Sequence, residues 1–270
     1  MNLQTNFTCR LCGDTDLKLF YSLGQRGQFK YFRCRNCTLV NYDLSGGLDQ
    51  SQYIDLTDPT DNRAQKNYDK DASWRFINKQ TPKPGKFLDV GCGTGRLLYL
   101  AQNAGWEPHG LELSAEAAKT AINRLKVPVI IGDFLTIEAE PNKYDLIALR
   151  HVLEHLVDPI LALQKINFRL KTNGYALFEM PNIDALDMRL KRMLASTGIH
   201  QKQFPKNYLP GHCNEFCRAS FQFLLEKTGF KLLRWETYSM KPIVNFLYRH
   251  LHIGNKARAL VTKTNSLTAR

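Results

Sequence analysis

A buried-strand pattern that runs directly into three alternating glycines constrains the fold of this chain more than any other feature. Residues 86–90 read Lys-Phe-Leu-Asp-Val, a short apolar run typical of a parallel strand. The glycines occupy alternate positions in residues 91–95, and residues 96–101 predict a helix. In such a strand–loop–helix unit, glycines let the backbone approach a nucleotide at the helix N-terminus. Asp89, just before the glycines, would repel a pyrophosphate and suits a cationic amino group.

The segments around and after this loop resemble one enzyme family. Residues 87–95 resemble the first motif of class I S-adenosylmethionine-dependent methyltransferases, and residues 109–114, 131–134, 144–149 and 174–180 resemble later strands of that family. The resemblance implies an α/β fold with a doubly wound, mostly parallel, seven-stranded Rossmann-like sheet and an S-adenosylmethionine cofactor. It also implies cofactor contacts from Asp89, Gly91, Cys92, Gly93, Glu112, Leu113, Asp133, Phe134 and Arg150.

Four of these positions have roles that the resemblance implies, and elementary chemistry supports two of them. Glu112 would hold the two ribose hydroxyls, as one carboxylate does in other nucleotide sites. Asp133 would accept a hydrogen bond from the adenine amino group. Phe134 would pack on the adenine ring, and Cys92 would contribute its backbone rather than its thiol.

Four of the seven cysteines form two C-x-x-C pairs that are separated by 21 residues. Two pairs at this separation predict a structural zinc site, and four thiolates leave no open position for catalysis. Residues 17–21 and 30–33 between the pairs predict two strands, which makes this region a zinc ribbon whose folding depends on the metal. The predicted zinc ligands are Cys9, Cys12, Cys34 and Cys37.

The segment Arg-His-Val-Leu-Glu-His at residues 150–155 has several interpretations. The H-x-x-E-H pattern of a zinc protease needs a longer helix than Pro159 permits. A similar Val-Leu-Glu-His element in small-molecule methyltransferases implies that His151 or His155 lies near the transferred methyl as a general base. Structural hydrogen bonds that fix the loop are a further interpretation for Glu154 and His155.

The same segment also resembles an element of methyltransferases that act on the 3′ end of small RNAs. In those enzymes the element gathers on a divalent metal together with a later His, and His212 is the counterpart in this chain. This chain departs from that pattern because His151 stands where the RNA enzymes have a carboxylate. The departure weakens a magnesium site, since magnesium prefers oxygen ligands.

A histidine-containing segment in the last third of the chain adds a further catalytic candidate. Residues 209–216 and 221–230 resemble a stretch of bacterial methyltransferases that are linked to sugars, glycans and lipid intermediates. The resemblance implies that His212 faces the methyl donor from the acceptor side. The catalytic candidates are therefore His151, His155 and His212, whereas Cys213 and Cys217 are predicted to be core residues.

The formal charge of +12 is concentrated in the last third of the chain. Acids are absent between Asp187 and Glu215 and again after Glu236, while bases continue through both stretches. This asymmetry indicates an anionic partner, such as a phosphate-bearing substrate, nucleic acid or anionic lipid. A solvated basic face is the other interpretation.

The domain organisation predicted from these patterns has four parts. A zinc ribbon covers residues 1–42, a linker with a helix covers 43–85, a methyltransferase domain covers 86–240, and a basic tail covers 241–270. Residues 184–216 are predicted to be an amphipathic insert that forms a lid over the acceptor or contacts a membrane surface.

The predicted function is methyl transfer to oxygen of a small-molecule, sugar or glycan acceptor that carries negative charge. The alternative is a zinc-ribbon nucleic-acid-binding protein or an RNA 2′-O-methyltransferase. The N-terminus lacks a secretory signal and no window approaches 18 apolar residues, so we expect a cytoplasmic protein with at most peripheral membrane contact. The sequence leaves the oligomeric state open.

Overall fold

The computed structural model describes residues 7–51, 56, 71–81, 83–138, 140–196, 204–239 and 253–264. These residues form two β-sheets and six α-helices. The strands are β1 (Leu17–Leu23), β2 (Phe29–Cys34), β3 (Val40–Tyr42), β4 (Lys86–Val90), β5 (Glu107–Glu112), β6 (Val129–Ile131), β7 (Tyr144–Arg150), β8 (Leu170–Pro181), β9 (Asn214–Glu215), β10 (Phe230–Tyr238) and β11 (Lys256–Lys263). The helices are α1 (Ala72–Gln80), α2 (Arg96–Asn103), α3 (Ala115–Leu125), α4 (Pro159–Arg169), α5 (Leu186–Ser196) and α6 (Arg218–Lys227).

The larger sheet has seven strands in the order β10-β11-β8-β7-β4-β5-β6. The pairs among β4, β5, β6, β7 and β8 are parallel, and β11 runs antiparallel to both of its neighbours. This arrangement confirms the predicted mostly parallel, seven-stranded Rossmann-like sheet. The order reverses between β4 and β7, and ligands bind at such a switch point, beyond the carboxyl ends of the strands.

Side-chain caps define where three of the helices begin. The Asp71 carboxylate accepts hydrogen bonds from the N–H groups of Ser73 and Trp74 at the start of α1. Ser114 caps α3, and Asp158 followed by a proline caps α4. These caps fix the helix N-termini at the sheet edge where the candidate site lies.

The two faces of the central strands pack into different clusters because side chains alternate along a strand. On one face, residues of β4, β7 and β8 join a buried cluster that includes Leu11 and Leu39 of the ribbon. On the other face, residues of the same strands pack against Trp74 and Ile77 of α1 and Leu98 of α2. Burial of each large apolar side chain stabilises the folded state by roughly 1.5–3 kcal/mol relative to leaving it in water. The ribbon therefore shares a core with the larger sheet.

The smaller sheet is antiparallel and has the order β1-β2-β3-β9. Its first three strands lie in the predicted ribbon, whereas β9 comes from residues 214–215, far along the chain. The pairing joins Val40 to Glu215 and Asn41 to Asn214. The predicted range 1–42 does not include this strand, because an isolated two-residue strand has no detectable pattern in the sequence.

The prediction of a basic tail over residues 241–270 is wrong for its second half. Residues 256–263 form β11, which lies between β8 and β10 inside the sheet. Arg258 on this strand is fully buried, so its charge does not belong to a basic surface. Residues 240–252 lie outside the described residues.

The predicted linker is partly structured around the site. Residues 44–46 form a short 3-10 helix, and the Gln50 side chain donates to the His155 carbonyl oxygen at 2.7 Å. The helix predicted within residues 43–85 is α1, and residues 57–70 before it lie outside the described part of the chain. Among the described residues, no helix has the length and apolar content needed to cross a bilayer.

Candidate functional site

The glycine loop between β4 and α2 adopts the left-handed backbone that the sequence required. The φ angles of Gly91, Gly93 and Gly95 are +70°, +54° and +96°. A Cβ at Gly93 would meet open space, whereas a Cβ at Gly91 would collide with the side chain of Val152. The loop therefore presents open backbone on one side and contacts the segment that contains His151 and His155 on the other.

The end of β5 places Glu112 directly against this loop. Its carboxylate accepts hydrogen bonds from Gly93 N–H and Ser114 N–H, both at 2.8 Å. The adjacent Leu113 is 65% exposed, an apolar side chain with a free surface at the carboxyl edge of the sheet. Asp133 follows β6 and is exposed, with one oxygen accepting from Leu135 N–H at 2.8 Å. We call Asp89, the glycine loop, Glu112 and Asp133 the cofactor edge.

Asp89 occupies the buried end of β4 and is only 4% exposed. Burial raises the pKa of its carboxyl to about 7, while the nearby Arg150 guanidinium acts in the opposite direction. An ammonium group placed here would favour the ionised carboxylate. The geometry thus fits the cationic amino group expected from the sequence.

One of the predicted cofactor residues, Phe134, lies elsewhere than expected. The Phe134 ring is 3% exposed and belongs to the core, with the Arg169 guanidinium 4.9 Å from its centroid. It presents no face to a ligand, so the prediction that it packs on adenine is wrong in this structure. Cys92 is also buried, and its N–H donates to the Leu111 carbonyl oxygen at 3.2 Å.

Arg150 belongs to a buried charge network that sequence reasoning missed. The Asp71 carboxylate lies 3.4 Å from Arg150 Nη1 and 3.1 Å from Arg96 Nη2. Glu179 lies 3.8 Å from Arg150 Nε and forms an ion pair with the buried Arg258. Glu179 is the one acid in the apolar run 174–180, and an acid in a predicted buried strand could have indicated a buried ion pair. Arg150 is thus positioned by two internal carboxylates at the end of β7.

The segment after β7 turns sharply and brings its acid into the protein interior. His151 has a φ of +55°, a conformation that costs energy for a residue with a side chain. Its ring Nδ1 lies 3.3 Å from Oε1 of Glu154, which is 1% exposed. Burial is the largest single influence on Glu154 and opposes its ionisation, but the hydrogen bond to His151 and the positive charges of the nearby histidines together lower the pKa of the carboxyl. Glu154 therefore carries its charge inside the protein.

His155 and His212 come together from opposite ends of the domain. Their rings are nearly perpendicular with centroids 4.8 Å apart. His155 Nδ1 lies 2.8 Å from the Gly211 carbonyl oxygen, and His212 Nδ1 lies 3.1 Å from Glu215 Oε1. Burial lowers the pKa of His155. Burial also acts to lower the pKa of His212, but the Glu215 carboxylate prevails and raises it.

These side chains form one group, which we call the acceptor cluster: His151, Glu154, His155, His212 and Glu215. Ligand atoms of Glu154, His155 and His212 lie within 4.8 Å of one another. Glu154 Oε2 is buried without a hydrogen-bond partner among the described residues. The cluster thus contains every predicted catalytic histidine, and it has donor atoms suited to a divalent metal. Glu215 is the member that sequence reasoning did not select.

The four ribbon cysteines also converge. All four sulfur atoms lie within 4.8 Å of one another, and the Cys9–Cys37 and Cys12–Cys34 sulfur pairs are each 3.4 Å apart. A zinc ion with bonds of 2.3 Å in tetrahedral geometry requires sulfur separations of about 3.8 Å. Asn41 Nδ2 donates to Cys9 Sγ at 3.5 Å, a bond of the kind that orients metal ligands. The residues fit a structural zinc.

The family to which this fold and site belong is shown by a direct match. The model of the methyltransferase domain family Methyltransf_23 matches residues 61–234, more than half of the chain. The chain belongs to this methyltransferase family. Residues 61–234 therefore constitute a class I S-adenosylmethionine-dependent methyltransferase domain.

Two relatives show sequence similarity over different shares of this chain. The Methanocaldococcus jannaschii protein MJ1252 is 29% identical over 161 residues, which are 59% of this chain and 62% of that protein. The ubiquinone biosynthesis O-methyltransferase of Thiobacillus denitrificans is 30% identical over 118 residues, 41% of this chain and 51% of the relative. The methyltransferase thus spans less than two thirds of the length of these relatives.

A solved structure supports the fold alone. The PH0226 protein from Pyrococcus horikoshii OT3 superposes with a TM-score of 0.58 at 17% identity, covering 81% of this chain and 100% of that chain. Such low identity carries no information on the acceptor. The ribbon and the acceptor cluster must therefore be interpreted from the residues of this methyltransferase.

Proposed function

We propose that this protein methylates a hydroxyl oxygen of a small acceptor of the sugar, glycan or similarly hydroxylated class. The observation that carries the proposal is the His212–Glu215 pair, whose imidazole packs against His155 in the segment after β7. With Nδ1 directed at the Glu215 carboxylate, a neutral His212 ring carries its lone pair on Nε2. That nitrogen would take the hydroxyl proton as the acceptor oxygen attacks, which adds roughly 10²–10⁴-fold in rate.

Bound S-adenosylmethionine supplies a methyl group on a positively charged sulfur, and this chain would supply the surroundings that hold the donor. The Asp89 carboxylate would pair with the donor's ammonium group, and Glu112 would accept from its ribose hydroxyls. Asp133 would accept from the adenine amino group, and the exposed Leu113 would pack against the nucleoside. Orientation and exclusion of water should supply most of the rate enhancement.

Oxygen is favoured over nitrogen as the attacking atom by two observations. A hydroxyl must lose its proton to form an ether, and the His212–Glu215 pair is a base with a partner that stabilises the charged imidazole. The related ubiquinone biosynthesis enzyme of Thiobacillus denitrificans is by name an O-methyltransferase. The formal net charge of the chain, +12, favours an acceptor that carries phosphate or carboxylate.

The four ribbon thiolates would hold a structural zinc with no catalytic duty, because all four positions of the metal are filled. The sulfur separations of 3.4 Å and the Asn41 hydrogen bond support this assignment. The metal would supply most of the folding free energy of the knuckles, since the ribbon is small.

The proposal is tested by incubating the purified protein with S-adenosylmethionine and four acceptor classes. The panel contains a nucleotide sugar, a neutral glycan, a dihydroxybenzoate and an RNA oligonucleotide, and formation of S-adenosylhomocysteine is measured. We expect turnover with at least one of the first three classes, faster with the anionic acceptors than with the neutral glycan, a methyl ether in the product, and loss of turnover in His212→Ala. No turnover with any of these three classes, or full turnover in His212→Ala, would exclude oxygen methylation assisted by this base.

A second candidate is favoured by the donor atoms of Glu154, His155 and His212. A divalent metal on this triad would bind a 2′-hydroxyl, and the acceptor would be the 3′ end of RNA. The buried Glu154 Oε2, with no hydrogen-bond partner among the described residues, supports it. RNA methylation that requires added Mn²⁺ or Co²⁺, with zinc content unchanged, would select this candidate. RNA turnover that is insensitive to a chelator would exclude it.

A further inference from the structure

The ribbon contributes directly to the loop that carries His212, which we call the His212 loop (residues 211–216). Strand β9 of this loop pairs with β3, the ribbon strand that begins three residues after Cys37. The Tyr42 N–H donates to the Cys213 carbonyl oxygen at 3.0 Å. On the other side, the Cys213 N–H donates to the Glu154 carbonyl oxygen at 2.8 Å. The loop is therefore held between the ribbon and the acceptor cluster.

Arg10 links the first cysteine knuckle to the same loop. It stands between Cys9 and Cys12, and its half-buried guanidinium donates to the carbonyl oxygens of Cys213 at 3.0 Å and Tyr42 at 2.6 Å. Its own N–H donates to Asn41 Oδ1 at 3.0 Å. Asn41 in turn contacts Cys9 Sγ and is completely buried. A continuous set of hydrogen bonds thus joins a zinc thiolate to the residue after His212.

Tyr21 provides a second link that ends on the catalytic pair. Its hydroxyl donates to Glu215 Oε1 at 3.4 Å, the same oxygen that lies 3.1 Å from His212 Nδ1. The Tyr21 ring is stacked on Tyr31 with centroids 4.4 Å apart, which restricts its rotation. Tyr21 and Tyr31 belong to β1 and β2, so the orientation of the carboxylate behind His212 is set by the ribbon sheet.

We propose that the ribbon is the structural support of the acceptor side, with Arg10 and Tyr21 as positioning residues for His212. Methyl transfer then depends on the folded ribbon, whereas binding of the donor does not. The inference rests on the proposed function in that it assigns His212 to the acceptor. It differs from the nucleic-acid interpretation, because the hydrogen bonds of Arg10 and Tyr21 in the ribbon are made to other parts of the protein.

The second knuckle supplies a matched control for Arg10. Arg35 occupies the equivalent position between Cys34 and Cys37, but its side chain is 63% exposed and forms an ion pair with Asp16 at 3.5 Å. Arg10→Ala and Arg35→Ala therefore remove the same group from two similar turns. Only the first removes hydrogen bonds to the His212 loop.

The experiment measures hydrogen exchange, zinc content and affinity for S-adenosylhomocysteine in the full-length protein and the two variants. We expect Arg10→Ala to increase amide exchange in residues 211–216, with zinc retained and affinity changed less than about twofold. Arg35→Ala should leave exchange in these residues as in the wild type. Unchanged exchange in Arg10→Ala, or an equal increase in both variants, would overturn the proposal.

Turnover on the acceptor found in the panel supplies the second measurement. Arg10→Ala should lower kcat by about 10- to 100-fold, because small misplacements of a catalytic group have effects of this size. Arg10→Lys should restore part of the lost kcat, since the lysine ammonium can still reach one carbonyl oxygen. Tyr21→Phe removes one hydroxyl without disturbing the fold, and we expect a loss of about threefold in kcat at unchanged KM.

The two proposals fail in different ways. Full turnover in His212→Ala would reject the proposed base but leave the exchange result for Arg10→Ala as a valid test of the support. Increased exchange in Arg10→Ala together with wild-type kcat in both Arg10→Ala and Tyr21→Phe would show that the ribbon holds the loop without positioning the base. That outcome would overturn the positioning role.

Discussion

The cofactor edge and the acceptor cluster lie side by side but are assembled in opposite ways. The cofactor edge comes from one continuous stretch, residues 89–133, in which each acid stands at or beside the end of a neighbouring parallel strand. The acceptor cluster joins residues 151–155 to residues 212–215, and the ribbon holds the second of these segments. The cofactor edge depends on the parallel strands and their loops, whereas the acceptor cluster forms only when segments that are distant in sequence come together.

This difference predicts that the two halves can be disabled separately. Damage to the ribbon should abolish methyl transfer while the donor still binds, because the hydrogen bonds of Arg10, Tyr21 and β3 reach the His212 loop and not the acids of the cofactor edge. The ribbon also shares a buried core with β4, and we expect the larger sheet to stay folded without it. Damage to the cofactor edge should abolish donor binding while the zinc site stays intact. The following variants test this separation in order of expected effect.

Loss of the zinc site should have the largest effect. Cys34→Ser removes one thiolate, and structural zinc contributes about 10–16 kcal/mol of binding free energy in small zinc domains. We expect loss of zinc, exposure of the ribbon to proteolysis and no detectable turnover. Metal content and limited proteolysis measure the change.

Cys217→Ser is the matched control, since Cys217 is equally buried but lies outside the thiolate group. It should keep its zinc. Full zinc content in Cys34→Ser would contradict the four-thiolate site.

Removal of the proposed base should have the next largest effect. His212→Ala should lower kcat by about 10²–10⁴-fold, the range for general base catalysis, with affinity for S-adenosylhomocysteine unchanged. His151→Ala should also lose turnover with donor affinity retained, because His151 stabilises the buried Glu154 carboxylate. His109→Ala on β5, remote from the acceptor cluster, should behave as the wild type. Wild-type kcat in His151→Ala would remove that residue from the mechanism.

Asp89 should control donor binding and its pH dependence. The pKa of its carboxyl is raised to about 7 by burial, so the unliganded protein carries a neutral carboxyl below pH 7 and a carboxylate above it. Only the carboxylate attracts an ammonium group. Affinity for S-adenosylhomocysteine should therefore fall as the pH drops below 7, by up to roughly tenfold per pH unit.

Asp89→Asn should weaken binding by about 10- to 100-fold at pH 8, the cost of losing a charged hydrogen-bond partner, and should remove this dependence on pH. Calorimetric titrations at pH 5.5, 7 and 8.5 measure both effects. The same pH dependence in Asp89→Asn as in the wild type would assign the titration to another group.

Asp133 should have the smallest effect because it is exposed. Asp133→Ala removes one hydrogen bond to the adenine amino group, and the affinity for S-adenosylhomocysteine should fall by about three- to tenfold. Glu138→Ala changes an exposed acid five residues further along and should leave the affinity unchanged. An equal loss in both variants would indicate a general charge effect rather than a contact with adenine.

The glycine loop was predictable from the sequence because its pattern is local. The glycines at 91, 93 and 95 follow a buried strand, and all three adopt positive φ angles in the structure. Glu112 lies against this loop, and its role at the ribose hydroxyls stays a prediction. Phe134 was misplaced, because an aromatic residue after a strand end packs equally well into the core as against a ligand.

The support of the acceptor cluster was not predictable in the same way. Asn214 and Glu215 form a strand only because Val40 and Asn41 pair with them, so no local periodicity marks it. Residues 256–263 looked like a basic tail because Arg258 adds charge, and its buried partner Glu179 lies far away in sequence. Such interactions depend on tertiary contacts, which composition does not reveal.

The separation of the two halves is tested most directly by calorimetric titration of S-adenosylhomocysteine into three proteins: the wild type, Cys34→Ser and Asp89→Ala. We predict similar affinities for the wild type and for the zinc-free Cys34→Ser variant, and no measurable binding by Asp89→Ala. Loss of donor binding in Cys34→Ser, with the larger sheet still folded by circular dichroism, would contradict the account, since the ribbon would then be part of the donor site.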